Sequence, residues 1–435
     1  MTPRSFTPPL VVAAWLLAAP VLAHNAPPRG WNSFDAYDSR INEAQFRACV
    51  EVIERELLPD GWDTVVIDYL WYDPDPSGWD LPGYRHGNPN LPLDDAGRPT
   101  RRLAMDAHGR LLPPPERFPS AADGAGFKPL ADWVHAKGMK FGLHIMRGVP
   151  RQAYFDAAPI LGTDRTARDI AETDDTCVWC NYMYGIDAQA AGAQEYYDSM
   201  MRLYASWGVD YVKADDLLHP VYAAGEIELI HRAIERSGRP MTLSLSPGAA
   251  PLGRARHVAE HSNLWRVSPD FWDRWDDLRR AFDLLDAWTP HRAPGRWPDA
   301  DMIPFGRLSL GGRPEGPERD SRFTPAEHRT LMTLWSIAKS PLMWGGDPLA
   351  ADLGCLEFLT NDRVLAVNAH SVAGRQVSID DRRCVWTARD GRNDDLYVAL
   401  FNLSDEPGWV SFTLEHDGVR GRHDALDLWS GQPAG

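Results

Sequence analysis

At 435 residues with 44% hydrophobic content, the chain can bury at least one large core, and its formal charge of −16 repels nucleic acid and anionic membranes alike. A neutral substrate is therefore expected, and no nucleic-acid partner. Most of the eighteen Trp are expected in the core, although indole rings also stack on the apolar faces of sugars.

In chain order, Arg4, an apolar stretch over 10–22 and Val21-Leu22-Ala23 before His24 have the form of a signal peptide over 1–23, cleaved near Ala23. This predicts export, to the periplasm or beyond. No later stretch reaches the ~18 apolar residues of a membrane span. Strand candidates follow at 29–34, 63–71, 139–145, 209–215, 240–246, 263–268, 298–303 and 340–345. Helical patterns at 42–57, 126–137, 191–207, 226–237, 251–261, 274–288, 324–339 and 356–368 alternate with them. The seventh helix opens with Thr324 as N-cap, Pro325 at the first helical position and Glu327 completing a capping box. Eight strand–helix pairs predict an α/β fold, a (β/α)8 TIM barrel over 24–370. Residues 73–125 form a long loop over the barrel mouth, with hairpin turns at 94–98 and 106–110. From 371 to 435 the pattern changes to short alternating strands, such as 395–403 and 408–414, and predicts a small antiparallel β-domain.

In such a barrel the site lies at the carboxyl ends of the strands. Within Val-Lys-Ala-Asp-Asp (212–216), strand alternation puts Lys213 and Asp215 on one face, and the cation favours an ionised carboxylate. Trp-Arg-Val-Ser-Pro-Asp (265–270) ends another strand. If Asp270 faces Asp215 across a cleft, one can attack while the other donates a proton, which is the chemistry of glycoside hydrolysis. Asp68, His144, Arg266 and Asp301 fall on the same rim. Cys177 and Cys180 form a Cys-x-x-Cys, open between redox chemistry, half a metal site and a small disulfide loop; Cys49 is expected in the core. No second Cys pair and no His pair is read at ligand spacing, so neither a metal nor another cofactor is expected. No pattern fixes an oligomeric state.

The chain resembles glycoside hydrolase family 27, the α-galactosidases and α-N-acetylgalactosaminidases. The resemblance is carried by Arg-Gly-Trp-Asn-Ser-Phe (29–34), Val-Ile-Asp-Tyr-Leu-Trp (66–71), Trp-Gly-Val-Asp-Tyr-Val-Lys-Ala-Asp (207–215), Trp-Pro-Asp-Ala-Asp-Met (297–302) and Ser-Pro-Leu-Met (340–343). It implies a retaining double displacement with Asp215 as nucleophile and Asp270 as acid/base, their carboxyls ~5–5.5 Å apart. It also implies Trp31 as sugar platform, Asp68 and Lys213 as partners of the hydroxyls, and Arg266 and Asp301 at the other edge of the ring. The expected substrate is a terminal α-D-galactoside.

Several positions depart from the family pattern. Tyr69 stands where many members have an Asp that grips the O4/O6 side, and His144 replaces a Tyr. Leu217 replaces a disulfide-forming Cys, leaving Cys177 to pair with Cys180 or stay free. Ser246 and Ala249 resemble the N-acetylgalactosaminidase arrangement around the 2-position, while Pro247 and Gly248 match neither type. β-L-Arabinopyranosides, which lack the hydroxymethyl group, and α-N-acetylgalactosaminides are therefore alternative substrates. Two other classes stand beside these: a metal-dependent hydrolase using His144, Asp215, Asp216 and Asp301, and an inactive carbohydrate-binding barrel. The β-domain of the family usually continues past a segment like 427–429, so the stop at Gly435 predicts a truncated domain.

Overall fold

Short runs of β-branched and aromatic residues form the strands, and capped amphipathic segments form the helices between them. The computed structural model describes residues 26–76, 91–310 and 316–434. The expected signal peptide at 1–23 lies outside the described residues.

The barrel strands are β1 (Arg29–Asn32), β2 (Thr64–Ile67), β3 (Lys140–Met146), β4 (Tyr211–Asp215), β5 (Thr242–Leu245), β6 (Leu264–Arg266), β7 (Trp297–Asp299) and β8 (Leu342–Trp344). They pair in parallel in the order β7-β6-β5-β4-β3-β2-β1-β8. Ile303, just past β7, bridges Trp344 of β8 and closes the ring. With no free edge left, the parallel sheet is stable only if helices cover its outer face.

They do so as α1 (Glu43–Glu56), α2 (Lys128–Ala136), α3 (Ala193–Trp207), α4 (Ala224–Arg236), α5 (Ala255–His261), α6 (Trp275–Trp288), α7 (Pro325–Ala338) and α8 (Asp362–His370). α1 buries Phe46, Cys49, Val50 and Ile53 against the strands, and Asn42 with Gln45 closes a capping box at its start. The box expected at Thr324 and Glu327 is formed as well. Each such cap contributes about 1 kcal/mol.

Seven of the eight strands are shorter than expected, β3 alone keeping its expected seven residues, and at β2 the chain leaves the sheet where the site begins. The segment read as 63–71 stops at Ile67: the Asp68 N–H donates to Ser33 Oγ at 3.0 Å, and Leu70 turns to φ 55°. The eighth helix, read as 356–368, is two helices, Leu353–Leu359 and α8, separated where the Asn361 side chain caps the Val364 N–H at 3.0 Å. Both hairpin turns in the long loop are present, each organised by an Asp side chain, Asp94 and Asp106. A small antiparallel sheet in the β3–α3 connection (Val149–Pro150, Ala171–Thr176, Met183–Ile186) was not foreseen.

The C-terminal sheet consists of β9 (Ser371–Ile379), β10 (Arg383–Asp390) and β11 (Leu396–Asn402), all antiparallel. Residues 408–414 do not form the expected strand; Trp409 there is 91% exposed, while Val410 and Phe412 are half-buried. The sheet packs on the barrel through Phe401 against Phe282 of α6, ring centroids 4.9 Å apart, and through Lys339, whose Nζ donates to the carbonyl of Ser371 at 3.0 Å.

Candidate active site

Strand alternation turns Lys213 and Asp215 of β4 to the barrel interior, and the register sets His144 of β3 beside Lys213. The Nε2 of His144 lies 2.9 Å from Asp215 Oδ2. The Ser246 hydroxyl, just past β5, donates to Asp215 Oδ1. Burial opposes a charge on Asp215, but Lys213 and then His144 and Ser246 outweigh it and hold the carboxyl well below the usual range. Its charge is thus maintained at any ordinary pH.

Asp68 accepts from Lys213 Nζ at 2.9 Å and from Asn32 Nδ2 at 2.6 Å. Burial works against its ionisation too, and Lys213 and His144 override it, so its carboxyl also lies low. Asn32, Asp68, Lys213, His144, Asp215 and Ser246 form one continuous polar wall drawn from five strands.

The opposite wall is built on Arg266 at the end of β6. Its Nη2 lies 2.7 Å from Asp301 Oδ2 and 3.2 Å from Asp270 Oδ1. Asp301 also accepts the Phe271 N–H at 2.8 Å and has φ 88°, a strained value for a residue with a side chain. Burial, then Asp270 and Asp299, push its carboxyl up to about 7 against the pull of Arg266. The Asp270 side chain is 66% exposed and stands at the mouth, where a leaving group would depart. A small cavity lined by Asn32, Lys213, Ser246, Arg266 and Asp301 lies between the walls. A larger cavity at the amino ends of the strands, lined by Arg29, Lys140 and Trp297, is remote from all these carboxylates and does not define the site.

One expected site residue falls elsewhere. Trp31 is fully buried, packs on Phe46 of α1 at 6.0 Å and donates its indole N–H to the Gly346 carbonyl at 2.8 Å. Alternation turns it to the helix layer, so it is core and not the sugar platform. The aromatic at the rim is Phe34, partly exposed, with Lys213 Nζ 5.5 Å from its ring centroid. Its place two residues beyond Asn32, where β1 ends, was the available signal. Asp35 was also missed. Fully buried, it has its carboxyl raised well above the usual range by burial and by Asp301.

Tyr69 is buried with its ring edge-on to His144, centroids 5.2 Å apart, and 6.4 Å from Phe34. The side of the pocket next to Asp68 is therefore aromatic. Gly248 is explained by packing: a Cβ there would lie 2.1 Å from the Ser268 carbonyl, so only glycine lets the loop after Ser246 rest on the β6 segment. Cys177 and Cys180 are free thiols, both buried.

The four residues weighed as metal ligands are not brought together. Asp216 turns away from Asp215 to Arg147, whose Nε lies 3.0 Å from its carboxylate and 2.6 Å from its carbonyl, and Asp301 belongs to Arg266. Asp216 thus anchors the turn that follows Asp215. Asp175 and Glu226 share the same arginine at 2.7 and 2.9 Å.

A barrel whose mouth holds two opposed acidic walls, one kept anionic and one exposed to the entrance, is the architecture of a glycosidase. The profile of the family described as Alpha galactosidase A matches residues 177–370. A solved family 27 β-L-arabinopyranosidase from Geobacillus stearothermophilus is 44% identical with a TM-score of 0.86, the match covering 94% of this chain and 92% of that one. An α-galactosidase of Oryza sativa is 26% identical over 410 residues, 93% of this chain and 78% of the relative. An α-N-acetylgalactosaminidase of Gallus gallus is 27% identical over 369 residues, 81% and 72% respectively. The chain belongs to glycoside hydrolase family 27, and it is a glycoside hydrolase with a glycoside or oligosaccharide as substrate. Among the described residues no helix is long and apolar enough to cross a membrane.

Proposed function

We propose that this chain is a retaining exo-glycosidase for terminal pyranosides of galacto configuration, and that β-L-arabinopyranosides are its better substrates, with α-D-galactosides cleaved more slowly. The observation that carries the choice of sugar is Tyr69, a buried aromatic ring beside the Asp68–Lys213 pair. A ring there offers neither the space nor the second carboxylate that a hydroxymethyl group would use. The 44% identity to an arabinopyranosidase supports the same choice.

In the first step Asp215 attacks the anomeric carbon while Asp270 gives its proton to the departing oxygen. Lys213, His144 and Ser246 hold the carboxylate charged and aimed before the bond forms. The ester that results has lost the charge those groups stabilised. They therefore make Asp215 a good leaving group when water, deprotonated by Asp270, attacks the same carbon in the second step. Two inversions retain the configuration. Asp68 with Lys213 on one wall and Arg266 with Asp301 on the other are the partners for the ring hydroxyls.

The test compares 4-nitrophenyl β-L-arabinopyranoside with the α-D-galactoside on wild type and Tyr69→Asp. A polar partner gained for one hydroxyl is worth ~1–3 kcal/mol, so the variant is expected to shift the ratio toward galactose by about ten- to a hundredfold. A wild type that strongly prefers galactose, with the ratio unmoved in Tyr69→Asp, would reject the choice of sugar.

A further inference from the structure

Outside the barrel mouth, three imidazoles among the described residues gather on the outer helices. α4 and α5 lie side by side on the barrel exterior; α4 carries Glu228 and His231, and α5 carries His257 and His261, one turn apart on one face. This i, i+4 histidine pair was overlooked in reading the sequence. One donor atom each from Glu228, His257 and His261 lies within 4.8 Å of the other two. The His257 and His261 ring centroids are 4.6 Å apart, and His231 stands 5.2 Å from His261.

We propose that Glu228, His257 and His261 form a binding site for one borderline divalent cation, of the zinc or nickel class, that cross-links α4 to α5. Two imidazole nitrogens and a carboxylate oxygen are the donor set these ions take, whereas harder cations prefer oxygen alone. Tetrahedral coordination at ~2.0–2.1 Å puts donors about 3.3 Å apart, within reach by rotamer adjustment. Glu228 Oε1 is already 3.3 Å from His257 Nε2. His261 Nδ1 is buried with no hydrogen-bond partner, so a lone pair there is available to a ligand. His231 or a water completes the shell.

The surroundings orient the ligands. The Tyr222 hydroxyl is 2.6 Å from His257 Nδ1, which leaves Nε2 for the metal, and Arg232 Nη1 holds the other oxygen of Glu228 at 3.2 Å. Tyr222 lies in the connection between β4 and α4. A cation would therefore pin the segment that follows Asp215 and Asp216 without touching the reacting atoms, and its role is structural.

The experiment titrates ZnCl2 into untagged full-length protein stripped with EDTA, by calorimetry, with melting temperature recorded in parallel. One equivalent is expected to bind and to raise the melting temperature. His257→Gln with His261→Gln, and separately Glu228→Gln, should weaken binding at least tenfold and abolish the rise, while aryl-glycoside turnover without zinc stays as in wild type. Tyr222→Phe, a positioning change, should weaken binding ~10-fold. Zinc affinity equal in wild type and Glu228→Gln, or no retained zinc in wild type, would overturn the proposal.

Discussion

His144 Nε2 and Asp215 Oδ2 stand 2.9 Å apart at the carboxyl ends of adjacent strands, with the imidazole fully buried. The pair holds one oxygen of the candidate nucleophile while Ser246 holds the other, so the carboxylate plane is set before it attacks. A hydrogen bond to a charged group is worth ~1.5–3 kcal/mol, so His144→Phe should lower kcat/KM by about ten- to a hundredfold. His144→Gln, which can still donate, should recover part of that loss. A His144→Phe enzyme with wild-type kcat/KM would show that the contact does not position Asp215.

Asp215→Asn should reduce kcat by at least ~10⁴-fold, because it removes the nucleophile while leaving the shape. The variant should remain folded and still bind the product sugar, measurable by calorimetry. Proton NMR of the first sugar released by wild type should show retained anomeric configuration; the opposite anomer would reject double displacement.

Asp270 stands exposed at the entrance, where Arg266 reaches its carboxylate. If it supplies the proton to the leaving group, Asp270→Asn should slow release of a poor leaving group such as methanol far more than release of 2,4-dinitrophenolate in the first step. Equal losses on both substrates in a pre-steady-state assay would remove Asp270 from that role.

The two aromatics of β1 and its end should separate cleanly. Trp31→Ala empties a core position and should cost about 3–5 kcal/mol of stability, read as a lower denaturation midpoint. Phe34→Ala should leave the midpoint nearly unchanged and raise KM. The reverse pattern would restore Trp31 as the sugar platform.

Asp216 gives a pH prediction. Burial, then Asp175 and Glu226, push its carboxyl up to about 7 from 3.8, with Arg147 opposing. A carboxyl that binds its proton more tightly in the folded chain stabilises below about 4 and loses that contribution as pH rises to about 7. Asp216→Asn, which keeps an acceptor for Arg147, should therefore flatten the fall in melting temperature between pH 4 and 7. An identical pH slope in the two proteins would place the titration elsewhere. Asp215 and Asp68, held low, act in the other window, where stability is lost below about pH 4.

Much was legible in the sequence because periodicity is local. Alternating strands and capped helices announced the barrel, and the alternation within 212–216 set Lys213 and Asp215 on one face before any contact was known. Where strands end was not local: β2 stops at Ile67 because Ser33, just past the end of β1, takes the Asp68 N–H. The face of Trp31 was likewise decided by α1 packing on β1, and so the motif Gly-Trp-Asn-Ser-Phe concealed which aromatic reaches the rim. Asp215 and Asp216 are adjacent and chemically identical in the sequence. Only the fold brings His144 and Ser246 to the one and sends the other to Arg147, Asp175 and Glu226. Residue type and spacing determined which groups could do the chemistry, and burial with long-range charge decided which of them stays ionised to do it.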